Sequence, residues 1–168
     1  MTRTTAFGIE RITTDAEATA RLAAGMAGVA APGDLLCLWG DLGAGKTVFA
    51  RGFGRGLGVT TTINSPTFVL MAEHEGRLPL FHLDLYRLAD AVDAFAGGLV
   101  DDRQSSGVTL VEWPDRLGAA LPAARLDVRI EGTGEAPRRI RIEAGDRRLA
   151  RYVAAARSAV PDDAAAAR

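Results

Sequence analysis

The chain has 168 residues, 48% hydrophobic and 24% charged, with a formal net charge of -1 and a single cysteine, Cys37. That length and apolar content fit one ordinary domain able to bury a core, the near-neutral balance argues against gripping nucleic acid by bulk electrostatics, and one cysteine excludes an internal disulfide. No run approaches the roughly 18 apolar residues of a membrane span, and the amino end lacks a signal peptide's basic start and apolar centre, so a cytoplasmic protein is expected.

In chain order, "TTAFGIERI" alternates as a first strand should, and Thr14 with Glu17 has the spacing of a capping box before a helix that places Leu22, Met26 and Val29 on one face. "APGD" ends that helix. Leu35 to Trp39 is wholly apolar, the pattern of a central strand buried on both faces. Thr47 to about Leu57 reads as a helix whose three internal glycines weaken it, so close packing against the sheet is their expected reason. "SPTFVLMAEHEGRLPLFHLDLYRL" reads as two strands about a turn at Glu75 to Arg77, with His74 a solvated strand residue. Asp90 to Ser106 reads as a helix followed by loop, and Val108 to Trp113 as another apolar strand. Leu126 to Ile130 and Arg139 to Glu143 form an expected antiparallel hairpin across "GTGEAP", and Asp146 to Arg157 a last helix with Leu149, Tyr152, Val153 and Ala156 inward. A single domain through residue 157 is expected, followed by the loose tail "SAVPDDAAAAR" over 158–168.

Charge is unevenly placed. From Asp90 to Arg116 six acids face two arginines, net -4, and from Arg129 to Arg157 eight arginines face four acids, net +4. Such blocks are either solvated faces or a pair of docking surfaces.

The chemistry concentrates in "LLCLWGDLGAGKTVFARGFG". Gly40, Gly45, Lys46 and Thr47 satisfy G-x-x-x-x-G-K-[ST], after a predicted strand and at the opening of a predicted helix. Glycines let successive backbone N–H groups turn inward around an anion, and the helix amino end adds partial positive charge. Lys46 is the only lysine among twenty basic residues. A compact ammonium suits the β- and γ-phosphates where a planar guanidinium fits poorly, and Thr47 would give its hydroxyl to Mg²⁺. The expected nucleotide-binding residues are Gly40, Asp41, Leu42, Gly43, Ala44, Gly45, Lys46, Thr47 and Val48, joined by Ser65 and Trp113.

A triphosphate site also needs a carboxylate, and Asp84 in "FHLDLYRL" and Glu112 in "VTLVEWP" both end apolar strands. Either could hold Mg²⁺ directly or through water while the other orients or deprotonates the attacking water. Lys46, Asp84, Glu112 and Thr67 are thus the catalytic candidates, and Thr47, Glu112 and Asp84 the metal candidates. His82 shares the face of Asp84 by period two and reads as a structural hydrogen-bonder. Ser65, Pro66 and Thr67 lie where phosphate-loop proteins often carry a γ-phosphate sensor. Trp113 beside Glu112 reads first as packing, the usual role of an aromatic near a strand end, and second as a neighbour of the nucleotide or a partner.

Taken together, "GDLGAGKT" with "RGFGRGLG", "NSPTF", "FHLDLYRL" and "LVEWPDRL" resemble the TsaE (YjeE) family of bacterial ATPases in tRNA threonylcarbamoyladenosine synthesis, in the family's order over roughly Ala6 to Ile142. The resemblance implies an α/β, P-loop NTPase-like three-layer fold with a mostly parallel central sheet and antiparallel hairpin additions. It implies ATP and Mg²⁺ as ligands and TsaB and TsaD as partners, with tRNA met only through their complex. Thr47 and Glu112 would bind Mg²⁺, Ser65 to Thr67 would act as a switch, Asp84 would serve turnover, and Thr14 or Arg138 would meet adenine. The segment from Asp90 to Ser106 departs from the family's aromatic and Met-rich pattern. Two rival classes share the loop: a nucleoside-kinase-like phosphotransferase, for which Arg87 and Arg103 are the only mid-chain lid arginines, and an adaptor that binds ATP without hydrolysing it.

Overall fold

A computed structural model describes residues 4–5, 7–65, 70–89, 92 and 102–159. Its strands are β1 (Thr4–Thr5), β2 (Gly8–Thr13), β3 (Leu35–Trp39), β4 (Met71–His74), β5 (Leu80–Asp84), β6 (Val108–Glu112), β7 (Leu126–Glu131) and β8 (Arg138–Ala144). Its α-helices are α1 (Ala16–Ala27), α2 (Lys46–Gly56) and α3 (Ala150–Ala159). All eight strands join one sheet in the order β1-β2-β8-β7-β3-β6-β5-β4. The fold is therefore mixed α/β. The central strands β7, β3, β6 and β5 run parallel, and the flanking pairs are antiparallel.

The apolar run of β3 is explained by its central place, since it is covered on both faces. Leu36 and Leu38 join Leu80, Val108 and Leu110 under the three helices, while Phe81, Leu83 and Val111 face the other way against Leu85, Leu88 and Leu117. Among the described residues all three α-helices cover the first face. The second is met by the 3₁₀ segment Pro114–Ala120. The expected helix after Asp90 lies outside the described residues apart from Val92, and its carboxyl end is a 3₁₀ turn, Asp102–Ser106. Residues 160–168, most of the expected tail, also lie outside. Cys37 is buried, and burial pushes its thiol up to about 12, as an inert core cysteine requires.

Four local expectations are corrected. The first strand is two, because the chain reverses between Thr5 and Gly8 and β1 pairs antiparallel with β2. Asp15, not Thr14, caps α1, its Oδ1 accepting from the Ala18 amide at 2.7 Å. The helix ends at Ala27, so Val29 packs on the core from beyond it. The glycines of α2 serve a different neighbour from the one expected. A Cβ on Gly52 would stand 2.2 Å from Ala20 O and one on Gly56 2.4 Å from Ala24 O, so this face meets the backbone of α1, and only Gly54 turns toward Ile63 and Leu80. Gly52→Ala should lower the unfolding free energy by about 1–3 kcal/mol through overpacking. Urea titration tests this: a loss below about 0.5 kcal/mol would contradict the tight pairing of α1 with α2.

The basic block falls mostly on β8 and α3. Arg139 and Arg141 lie 3.8 and 3.6 Å from Glu10, and Arg129 lies 3.9 Å from Glu143, all on the solvated side of the hairpin. These three arginines are balanced by neighbouring acids in the manner of a wet sheet face.

Candidate phosphate-loop site

Between β3 and α2 the chain makes the loop that the glycine spacing anticipates. Gly40 has φ 156° and a Cβ there would stand 2.6 Å from Ile130 O; Gly45 caps α2 with φ 105°. Lacking a side chain, Gly45 makes no capping bond, and the first turn of α2 holds no acid. The contrast with α1 is direct, for Asp15 and Glu17 neutralise that helix start. The amino end of α2 keeps its positive field for something else. Arg138 braces the loop from β8, its Nε donating to Ala44 O at 2.8 Å and its Nη2 to Gly134 O at 2.8 Å.

Lys46 is 6% exposed. Its Nζ donates to Gly40 O at 2.5 Å and Asp41 O at 2.9 Å, and lies 4.2 Å from the ring centre of Trp113. Burial lowers its pKa, and the carboxylates of Glu112, Asp84, Asp41 and Asp115 oppose that shift. Trp113 is the only non-glycine with positive φ among the described residues, at 59°, and its ring packs against Tyr86 at a tilt of 49°, with centroids 4.9 Å apart. A bulky side chain in the left-handed region is strained, as residues at functional sites often are.

The two strand-end carboxylates meet because β5 and β6 are parallel neighbours that pair Asp84 with Glu112. Glu112 is buried, and its Oε1 accepts from Thr47 Oγ1 at 3.2 Å and from His82 Nε2 at 2.9 Å. Asp84 is half-buried; its Oδ1 accepts from the Tyr86 amide at 3.0 Å and its Oδ2 from Ser65 Oγ. Ser65 is led there by Arg51, which donates to Ile63 O at 2.7 Å and Asn64 Oδ1 at 2.8 Å.

A cavity of about 420 Å³ gathers Leu42, Gly43, Gly45, Lys46, Thr47, Val48, Ser65, Asp84, Glu112 and Trp113. Gly40, Asp41 and Ala44 line a separate depression beside Trp39 and Arg129, contributing to the site through backbone carbonyls. Pro66 and Thr67 lie outside the described residues. Sequence reasoning missed Tyr86 and Leu70 on the cavity wall and the bracing role of Arg138. The "DLYR" after the strand was a signal for Tyr86; nothing local marked Arg138, which reaches the loop from 94 residues away. His74, expected in solvent, is buried and bonds Thr61 Oγ1 through Nδ1 at 2.8 Å. Among the described residues no group of three or more His, Cys, Asp or Glu could hold a metal, and no helix is long and apolar enough to cross a membrane.

An acylating amine reagent should therefore modify two amines, Lys46 and the amino terminus. Burial lowers the Lys46 pKa, which raises its free-amine fraction in alkaline solution. Mg²⁺–ATP should slow the Lys46 reaction and leave the terminal one unchanged, read by peptide mass spectrometry. Equal Lys46 labelling with and without saturating nucleotide would contradict a phosphate site here.

Comparison with known proteins supplies the wider setting. The family model of the threonylcarbamoyl adenosine biosynthesis protein TsaE matches residues 13–140. A tRNA threonylcarbamoyladenosine biosynthesis protein TsaE of Bacillus subtilis is 44% identical over 129 residues, which is 76% of this chain and 80% of the relative. A protein of the same description from Treponema pallidum is 35% identical over 131 residues, 78% of this chain and 97% of the relative. The crystal structure of Bacillus subtilis YdiB superposes with a TM-score of 0.74 at 34% identity, covering 94% of this chain and 97% of that one.

Proposed function

The chain belongs to the TsaE family of threonylcarbamoyl adenosine biosynthesis proteins, and from that premise we propose that it is a Mg²⁺-dependent ATPase whose hydrolysis drives turnover of a TsaB–TsaD threonylcarbamoyl transfer complex. The observation that carries the reading is the convergence, in one cavity, of Lys46, the acid-free start of α2, Thr47 and the adjacent carboxylates Asp84 and Glu112. On this reading the fold is a P-loop NTPase domain. The loop amides and Lys46 hold the β- and γ-phosphates, and Lys46 leaves the Gly40 and Asp41 carbonyls to do so.

Mg²⁺ fits the residues present. Thr47 Oγ1 and Glu112 Oε1 are hard oxygen donors already 3.2 Å apart beside the cavity, and Mg²⁺ ordinarily takes one or two carboxylates together with substrate phosphates, not an all-protein cage. When bound, the ion would neutralise charge that develops on the phosphoryl oxygens. Asp84, tied to Ser65 and to the Tyr86 amide, orients the attacking water and can accept its proton. The Ser65 end of the loop then reports the γ-phosphate to docked partners. Adenine is assigned to the neighbouring cleft of about 310 Å³ across the loop, lined by Thr14, Val48 and Arg138.

Phosphate release by the purified chain, with and without TsaB–TsaD, tests the proposal. Slow Mg²⁺-dependent release accelerated by the partners is expected. Binding of ATP with no release under either condition would favour the adaptor reading, and phosphate appearing on an added nucleoside would favour the kinase one.

A further inference from the structure

The hydrogen bond beneath Glu112 has a direction that chemistry fixes. A carboxylate is acceptor-only, so the ring nitrogen 2.9 Å from Glu112 Oε1 must carry the proton, and His82 is held with hydrogen on Nε2. That leaves Nδ1 facing the interior, and His82 is fully buried with no partner for that atom among the described residues. A residue kept only for packing would be apolar at this depth, since leaving a buried polar atom unmatched is unfavourable. The fold retains the imidazole with one nitrogen matched and one not, and the matched one reaches Glu112.

The two donors on Glu112 Oε1 differ in origin. Thr47 belongs to the start of α2, which the nucleotide engages, whereas His82 sits in β5, one strand from Glu112 in a fixed parallel register. Both bonds fall on Oε1, and Glu112 also lines the cavity. The bond from His82 is therefore the one whose geometry is independent of nucleotide, and it holds the Glu112 carboxylate at the cavity edge beside Thr47.

We propose that His82 is a positioning residue of the hydrolytic centre, tethering Glu112 through an Nε2–H donor so that its carboxylate stays beside Thr47 where the metal and phosphates would meet it. The inference rests on the ATPase reading above, to which it adds a residue that never touches the reactants. Outer donors of this kind fix the orientation of a ligating carboxylate.

Two side chains separate tether from packing. The amide nitrogen of glutamine reaches about as far from the backbone as imidazole Nε2, while that of asparagine reaches only as far as Nδ1. In the partner-stimulated assay His82→Asn should lower kcat by about 10–100-fold, while His82→Gln stays within about threefold of wild type and KM for ATP changes little in either. A separate readout needs no catalysis: imidazole ¹⁵N shifts at about pH 8, above the ordinary histidine range, should show His82 as the Nε2–H tautomer. Equal losses in folded Asn and Gln variants, or an Nδ1–H tautomer, would overturn the tether. If the wild type itself releases no phosphate, the ATPase reading falls, and the tautomer alone then decides whether His82 holds Glu112.

Discussion

Lys46→Ala should reduce partner-stimulated ATP hydrolysis by about 10²–10³-fold or more, the scale set by removing one preorganised charge from a developing anion. The chain has one lysine to lose, and among the described residues no other cation lines the cavity except Arg87, beyond Asp84 on the chain. Lys46→Arg should fail as well. A planar guanidinium cannot occupy the place that Nζ takes between two carbonyls and the Trp113 ring 4.2 Å away. The fold should survive both changes, because burial already disfavours the Lys46 charge. Phosphate release and thermal melting, measured on the same preparations, check this. A Lys46→Ala variant that melts as the wild type and still hydrolyses at its rate would remove the lysine from the chemistry.

Glu112→Gln and Asp84→Asn carry the second large effect. Both keep volume and lose charge, and the parallel register that places them side by side means neither carboxylate can shift to replace the other. Each should lower kcat by on the order of 10²-fold while ATP affinity changes much less. They should differ in metal dependence. Glu112, joined to Thr47, should raise the Mg²⁺ concentration needed for half-maximal rate when replaced; Asp84, joined to Ser65, should lower the rate at saturating Mg²⁺. Steady-state rates across a Mg²⁺ titration separate the two, and near-normal turnover in both variants would exclude them from the site.

Much of this site was legible because its chemistry constrains sequence locally. An anion-binding turn needs glycine where the backbone is left-handed, and Gly43 and Gly45 stand at φ 81° and 105°. A strand buried on both faces must be apolar, which exposes β3 and β6, and a carboxylate at the end of such a run is conspicuous. What stayed hidden depends on which elements become neighbours. Gly52 and Gly56 lie one turn apart on one face of α2, but nothing in their spacing says that the face meets α1 instead of the sheet. Thr14 and Asp15 are both competent caps one residue apart, and the backbone chose the second. Arg138 acts on the loop only because β8 folds back against β7 and β7 lies beside β3. His74 became a core residue through its contact with Thr61, a pairing across the sheet edge that period-two alternation cannot reveal.

The most direct test of the central claim is reconstituted threonylcarbamoyl transfer to tRNA with purified TsaB and TsaD, counting product per complex with and without this chain and Mg²⁺–ATP. Many products per complex are expected only when the wild-type chain and hydrolysable ATP are both present, with about one product per complex when either is omitted. Equal multiple turnover without the chain, or with a non-hydrolysable ATP analogue in place of ATP, would contradict the role assigned to the site at Lys46, Asp84 and Glu112.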